Sequence, residues 1–232
     1  MAERQVKSRE RVASHGEVFT AQREVNAMLD LVKQETERID SRFLEPACGD
    51  GNFLAEILRR KLAAVRQRYR RSGADCEKYA VVALTSIYGV DILQDNVEAC
   101  RQRLFGIWDA FYTENCGREC REECRGAARF ILSRNILCGN ALTLMCVDGQ
   151  GRDTADYIVF SEWSLVRGTL IKRRDFRLDV MMSAGGERQY SFLDSDADSL
   201  VHWRIDPLTG TRIPRPLREY PLTDYWRVQG EA

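Results

Sequence analysis

The sequence lacks an excess of charge of one sign, a long apolar run, an internal repeat and any low-complexity segment. Its 35 Lys and Arg balance 35 Asp and Glu over 232 residues, for a formal net charge of zero. A protein that binds nucleic acid unaided usually carries a basic excess, because affinity rests on neutralising phosphates. That footprint is absent globally. No apolar stretch is long enough to span a bilayer. The opening residues, Met1 to Arg11, alternate polar and charged side chains, unlike a signal or transit peptide. These absences predict a cytoplasmic protein with no membrane partner. Without an export signal, the eight cysteines read as free thiols and not as a disulfide framework.

What remains is ordinary globular composition, with 44% hydrophobic and 30% charged residues. The length allows one domain with a substantial core, or one domain plus a small appendage. Two local basic clusters stand out, Arg66, Arg68, Arg70 and Arg71, then Arg167, Lys172, Arg173 and Arg174. Solvated helix faces and turns account for both. Cys116, Cys120 and Cys124, spaced by four, form one stripe if they share a helix. With Cys138 they offer four thiolates to a metal, but structural zinc sites pair cysteines in two knuckles of tighter spacing. Small apolar residues on a helix face are the better reading, and no metal is expected.

Along the chain, Val25, Met28, Leu29, Leu31 and Val32 predict a helix over about 24–37. Phe43 and Leu44 run into Pro46, Gly49 and Gly51, a tight turn. A long helix then follows from Asn52 through Leu54, Leu58, Leu62 and Val65 to the basic stretch before Ser72, with a second helical patch near 79–84. The run 86–92 is a short buried strand ending in Asp91, followed by a helical period from Val97 to Phe111. A Cys-rich helix, a strand and turn over 135–141, and a strand over 156–160 complete the pattern, which weakens beyond Trp163. Strands alternating with helices predict an α/β fold with a mostly parallel central sheet. Such sheets bind ligands beyond the carboxyl ends of their strands. The loops at Glu45–Gly51, Asp91 and Gly139–Asn140 all fall on that edge.

The chemistry of these loops narrows the ligand. Glycines after the first strand let backbone approach a ligand closely. A dinucleotide loop carries a third glycine beneath its pyrophosphate, and Leu54 occupies that position. Glu45, just before the glycines, would repel a pyrophosphate but suits a ligand with an ammonium and a sulfonium. Asp91 is placed to accept from ribose hydroxyls, or to cap the helix that follows. Asn140 offers a hydrogen bond to an adenine edge, or closes a plain turn.

The run His15-Gly16-Glu17-Val18-Phe19-Thr20 resembles the opening motif of the adenine-specific DNA methyltransferases of restriction–modification systems, with Ala21 where that family usually has proline. Phe43 to Leu54 resembles the same family's cofactor loop, Tyr88 to Asp91 its ribose-binding strand, and Asn135 to Leu142 its adenine-contacting loop. The resemblance covers about Arg11 to Phe160. It implies a Rossmann-like S-adenosylmethionine-dependent methyltransferase fold. The cofactor would be held by Phe19, Thr20, Glu45, Pro46, Ala47, Gly49, Gly51, Asp91, Ile92, Asn140 and Ala141. It divides the chain into an N-terminal helical segment (1–40), a methyltransferase core (41–165) and a short C-terminal extension (166–232).

The family's catalytic tetrapeptide, Asn or Asp, two prolines and an aromatic, stands at the end of the fourth strand, where its ring stacks on a flipped-out base. At that point this chain reads Ser161-Glu162-Trp163, so these three are the expected catalytic group, without the double-proline geometry. The short tail leaves DNA recognition to a partner specificity or restriction subunit. Three functions follow as expectations: methyl transfer to an adenine amine in DNA, a catalytically silent accessory subunit, or methylation of a small molecule or protein.

Overall fold

The computed structural model describes residues 20–116, 120–183, 203–205 and 212–231. Two short helices open the described chain, α1 (Gln22–Asp30) and α2 (Lys33–Thr36). The expected single helix therefore breaks at Leu31–Val32. Val25 and Leu29 are buried, whereas Met28, Leu31 and Val32 are exposed, so the apolar stripe is narrower than its sequence implies.

Strand β1 (Phe43–Glu45) leads through the glycine turn into α3 (Asn52–Tyr69) and α4 (Gly73–Thr85). Strand β2 (Ile87–Asp91) is buried throughout; it feeds α5 (Gln94–Cys116), α6 (Glu122–Asn135) and β3 (Ile136–Asn140). β1 pairs parallel with β2, Phe43 opposite Ile87, and β2 parallel with β3, Gly89 opposite Ile136. Two short strands then reverse direction, β4 (Met145–Val147) and β5 (Asp153–Tyr157), completing a five-stranded sheet in the order β1-β2-β3-β4-β5. The fold is thus α/β with a mixed sheet, parallel in its first three strands and antiparallel in its last two.

Alternation along β2 separates two cores, as a period of two requires. Ile87 joins the helical layer, with Leu54, Leu58, Val97, Leu104, Trp108 and Ile131. Tyr88 and Val90 face the other way, onto Ile158, Phe160 and Leu178. Gly89 sits where α3 comes closest, and a Cβ there would lie 2.9 Å from Leu54 Cδ1. Lys61, fully buried in α3, ties down the entry to β1: its Nζ donates to the carbonyls of Arg38 (2.8 Å), Ile39 (3.1 Å) and Ser41 (2.6 Å). Burial pulls its pKa down to about 7, against the opposing pull of Asp40 and Glu35.

The expected strand over 156–160 divides at Ile158. Strand β6 (Val159–Arg167) runs on beyond Trp163 and pairs antiparallel with β7 (Leu170–Arg177), after which comes a short helix, α7 (Leu178–Ser183). A small hairpin, β8 (Trp203–Ile205) with β9 (Arg212–Pro214), is separate. β10 (Arg218–Glu219) and β11 (Thr223–Asp224) add to the other edge of β7, giving a second, four-stranded antiparallel sheet. Trp163, Ile171, Tyr225 and Val228 bury themselves in the helical core, so the C-terminal extension packs as part of the same core. Buried Glu77 of α4 joins these parts, accepting from Tyr112 (2.5 Å), Tyr225 (2.7 Å) and Arg121. Among the described residues no helix is long and apolar enough to cross a membrane.

The cysteine stripe does not form. Cys116 ends α5, Cys120 precedes α6 and Cys124 lies within α6. Cys116 and Cys124 are buried, and the Cys116 thiol is hydrogen-bonded to Cys76. Among the described residues no group of three or more His, Cys, Asp or Glu is placed to hold a metal.

Candidate functional site

A cavity of about 730 Å³ opens at the carboxyl ends of the three parallel strands, within the size range of small-molecule sites. Its floor is the turn after β1. Gly49 (φ 52°) and Gly51 (φ 89°) adopt the left-handed conformation that favours glycine. A Cβ on Gly51 would also lie 2.7 Å from Cys100 Sγ. The turn is pinned to its neighbour strand: Cys48 N–H donates to Val90 O (2.9 Å) and Gly49 N–H to Asp91 Oδ2 (2.9 Å).

Asp91 has the most demanding position. Its carboxylate accepts from Gly49 N–H, from Leu93 N–H at 2.9 Å and from the Asn96 amide at 3.2 Å. It therefore organises both the glycine turn and the start of α5, the capping role that the sequence left open, while still lining the cavity. Glu45 lines the cavity beside it, and burial raises its pKa above the ordinary 4.5 against the lowering effect of its hydrogen bond with the Ala47 backbone. Asp50 is neutralised by Arg103, which reaches both its carboxylate oxygens (3.2 and 2.8 Å) and Asn52 Oδ1 (2.5 Å). Asn52 in turn donates to Thr20 O (3.4 Å), which fixes Thr20 beside the turn.

Among the described residues the lining carries three carboxylates and no basic side chain. The one electropositive feature is the amino end of α3, whose N-cap Gly51 supplies no side-chain acceptor; free N–H groups at such an end suit a carboxylate. The loop thiol is not a nucleophile. Cys48 is hydrogen-bonded to Cys100 and buried, which holds it far above the usual thiol range.

Of the cofactor residues expected from sequence, Thr20, Glu45, Pro46, Ala47, Gly49, Asp91, Ile92, Asn140 and Ala141 all line this cavity. Gly51 sits just beneath, buried at the helix start. Phe19 lies outside the described residues. Asn140 is committed locally, its amide donating to Asp153 (3.0 Å) and its oxygen accepting from Leu142 N–H (3.0 Å). Phe53, Asn96 and Leu142 also line the cavity and were not singled out from sequence. Position was their only signal: Phe53 opens the helix after the turn, and Asn96 follows Asp91 by one turn of α5.

Ser161, Glu162 and Trp163 are not at the cavity, which corrects their expected catalytic placement. They lie in mid-strand, because β6 runs back toward the amino ends of the parallel strands. Trp163 is buried, and its Nε1 donates to Asn135 Oδ1 (2.9 Å), while the Asn135 amide reaches Ile87 O (3.1 Å) at the start of β2. Ser161, fully buried, donates to Asp175 Oδ1 (2.6 Å). Glu162 is paired with Arg42 (2.5 Å) and Arg174 (2.6 Å).

No protein-family model, no curated protein and no solved structure matches this chain.

Proposed function

We propose that the chain binds S-adenosylmethionine in the cavity at the carboxyl ends of β1–β3, in a Rossmann-like methyltransferase arrangement, as part of a DNA-modifying system. The observation that carries this reading is the charge pattern of the cavity. Glu45 and Asp91 face a site with no basic side chain among its described lining residues, and the uncapped amino end of α3 lies beside them. A pyrophosphate meets repulsion there, whereas a ligand combining ammonium, sulfonium and carboxylate finds a partner for each. Glu45 would face the cationic end, the α3 amino end the carboxylate, and Asp91 the ribose through the one Oδ2 lone pair its three present partners leave open. DNA as the acceptor rests on the resemblance of residues 15–20, 43–54, 88–91 and 135–142 alone.

A specific observation favours a second form of this reading, in which the chain holds the cofactor and a partner subunit orients the target amine. Trp163 and Ser161 are consumed by the core at the opposite edge of the sheet. Calorimetric titration with S-adenosylmethionine tests the binding claim, and transfer of labelled methyl to DNA by the chain alone separates the two forms. Methyl transfer unaided supports an autonomous enzyme; binding without transfer supports the cofactor-holding subunit.

A further inference from the structure

At the opposite edge of the sheet, where the parallel strands begin, a second cavity of about 470 Å³ lies between the entry to β1, the end of α3, helix α4 and β6. Arg42, Arg68 and Asp40 stand on its wall with Tyr69 and Tyr79, and the buried Trp163 borders it. Tyr69 and Tyr79 stack face to face at 4.1 Å between centroids and 4° between planes. An adjoining hollow of about 350 Å³ shares Arg68 and Tyr69 and adds Arg70 and Arg71. Three arginines of the basic cluster noted in the sequence, Arg68, Arg70 and Arg71, therefore line a space and do not simply coat a helix face.

The charges around this space are unevenly satisfied. Arg66 meets Glu114 only at 3.8 Å, and Arg68, Arg70 and Arg71 have no acidic partner among the described residues. Of the acids nearby, Asp75 is engaged by Lys78 at 2.8 Å and by Ser72, and Glu162 lies between Arg42 and Arg174, whereas Asp40 meets Arg38 only at 3.9 Å and stays exposed. The carboxyl end of a helix favours cations in its last turn, which accounts for Arg66 and Arg68. It does not account for Arg70 and Arg71 beyond the helix; Arg42, from another element, is paired with Glu162.

We propose that this double hollow is a second binding site, for a nucleoside phosphate taken up either free or as a unit of single-stranded nucleic acid. Arginine forks match phosphate oxygens, and aromatic faces beside a cationic groove are the recurring means of holding single strands without reading their sequence. An acidic peptide would use the arginines but not the rings. The site is independent of the cofactor cavity, at the other end of the same strands.

The test titrates the full chain into a short fluorescein-labelled oligothymidylate at low salt, and separately titrates adenosine monophosphate by calorimetry. Saturable binding of the strand is expected, weakening steeply with added salt. The double reversal Arg68→Glu with Arg71→Glu should weaken it by about tenfold or more, while Arg227→Glu, an exposed control, leaves it unchanged. A melting curve confirms that both variants are folded. Binding of the strand alone assigns the site to nucleic acid; binding of the mononucleotide as well assigns it to the shared unit. No binding of either probe, equal binding of polyglutamate, or an unaltered affinity in the folded double variant overturns the proposal.

Discussion

At the residue scale, Asp91 and Glu45 divide the work of the cavity proposed to hold the cofactor. Asp91 serves two backbone N–H groups and one side-chain amide, so Asp91→Ala leaves buried donors unsatisfied. Denaturant unfolding should register a loss of about 1–3 kcal/mol. Cofactor affinity should fall as well, by about 1–3 kcal/mol if the ribose contact is made; an unchanged affinity would return Asp91 to capping alone. Glu45 carries a pH signature. Its raised pKa means that the folded protein takes up a proton above the ordinary range, so its burial costs stability at neutral pH and that cost is relieved on acidification. Binding of a cation has the opposite sign, since it needs the carboxylate. Affinity for S-adenosylmethionine should therefore fall as the pH is lowered from neutral through the raised Glu45 pKa, and Glu45→Gln should weaken binding at neutral pH and flatten the profile. A profile as steep in the variant as in the parent would remove Glu45 from the site.

At the scale of elements, the direction of β6 decides what Trp163 does. The strand passes from the face under Tyr88, whose hydroxyl donates to Ser161 O at 3.1 Å, to the helical core beneath Asn135. Trp163→Ala should cost about 3–5 kcal/mol of stability and leave cofactor affinity in the folded fraction intact. A stable variant that has lost only methyl transfer would contradict this packing role. Lys61 binds the elements at the other end of β1, and Lys61→Met strands three carbonyls. A loss of about 1–3 kcal/mol is expected by chemical denaturation, and a variant as stable as the parent would show that the carbonyls find other donors.

These elements also mark where the sequence was readable. The loop after β1 was legible because Gly49 and Gly51 need a conformation few residues tolerate and because acids flank them. The helix over 52–69 was legible from a sustained 3.6-residue period, as was the part of 94–116 between Val97 and Phe111, though Cys116 read as part of the next helix. The reversal at Ile158 was not, because Asp156 to Phe160 reads as one apolar run, and strand direction depends on pairing with β7, a partner outside any local window. The break at Leu31–Val32 was hidden for a related reason, since exposed apolar residues extend the stripe without contributing to it.

At the scale of the whole molecule, the parallel strands separate two chemistries at their two ends. The carboxyl edge gathers acids around an empty-handed helix terminus, and the amino edge gathers arginines around aromatic rings. Zero net charge conceals this polarity, because the two sets cancel in the total. The second sheet packs Trp163 and a buried group of Arg173, Asp175, Ser161 and Tyr220 against the amino edge beside the second cavity, and takes no part in the lining of the cavity at the carboxyl edge. The account stands or falls on what the carboxyl edge accepts. Calorimetry of the full chain should give saturable heat with S-adenosylmethionine, weakened in Asp91→Ala, and none with a nicotinamide dinucleotide, whose pyrophosphate the acids repel. Heat with the dinucleotide, or none with S-adenosylmethionine at millimolar concentration, would contradict it.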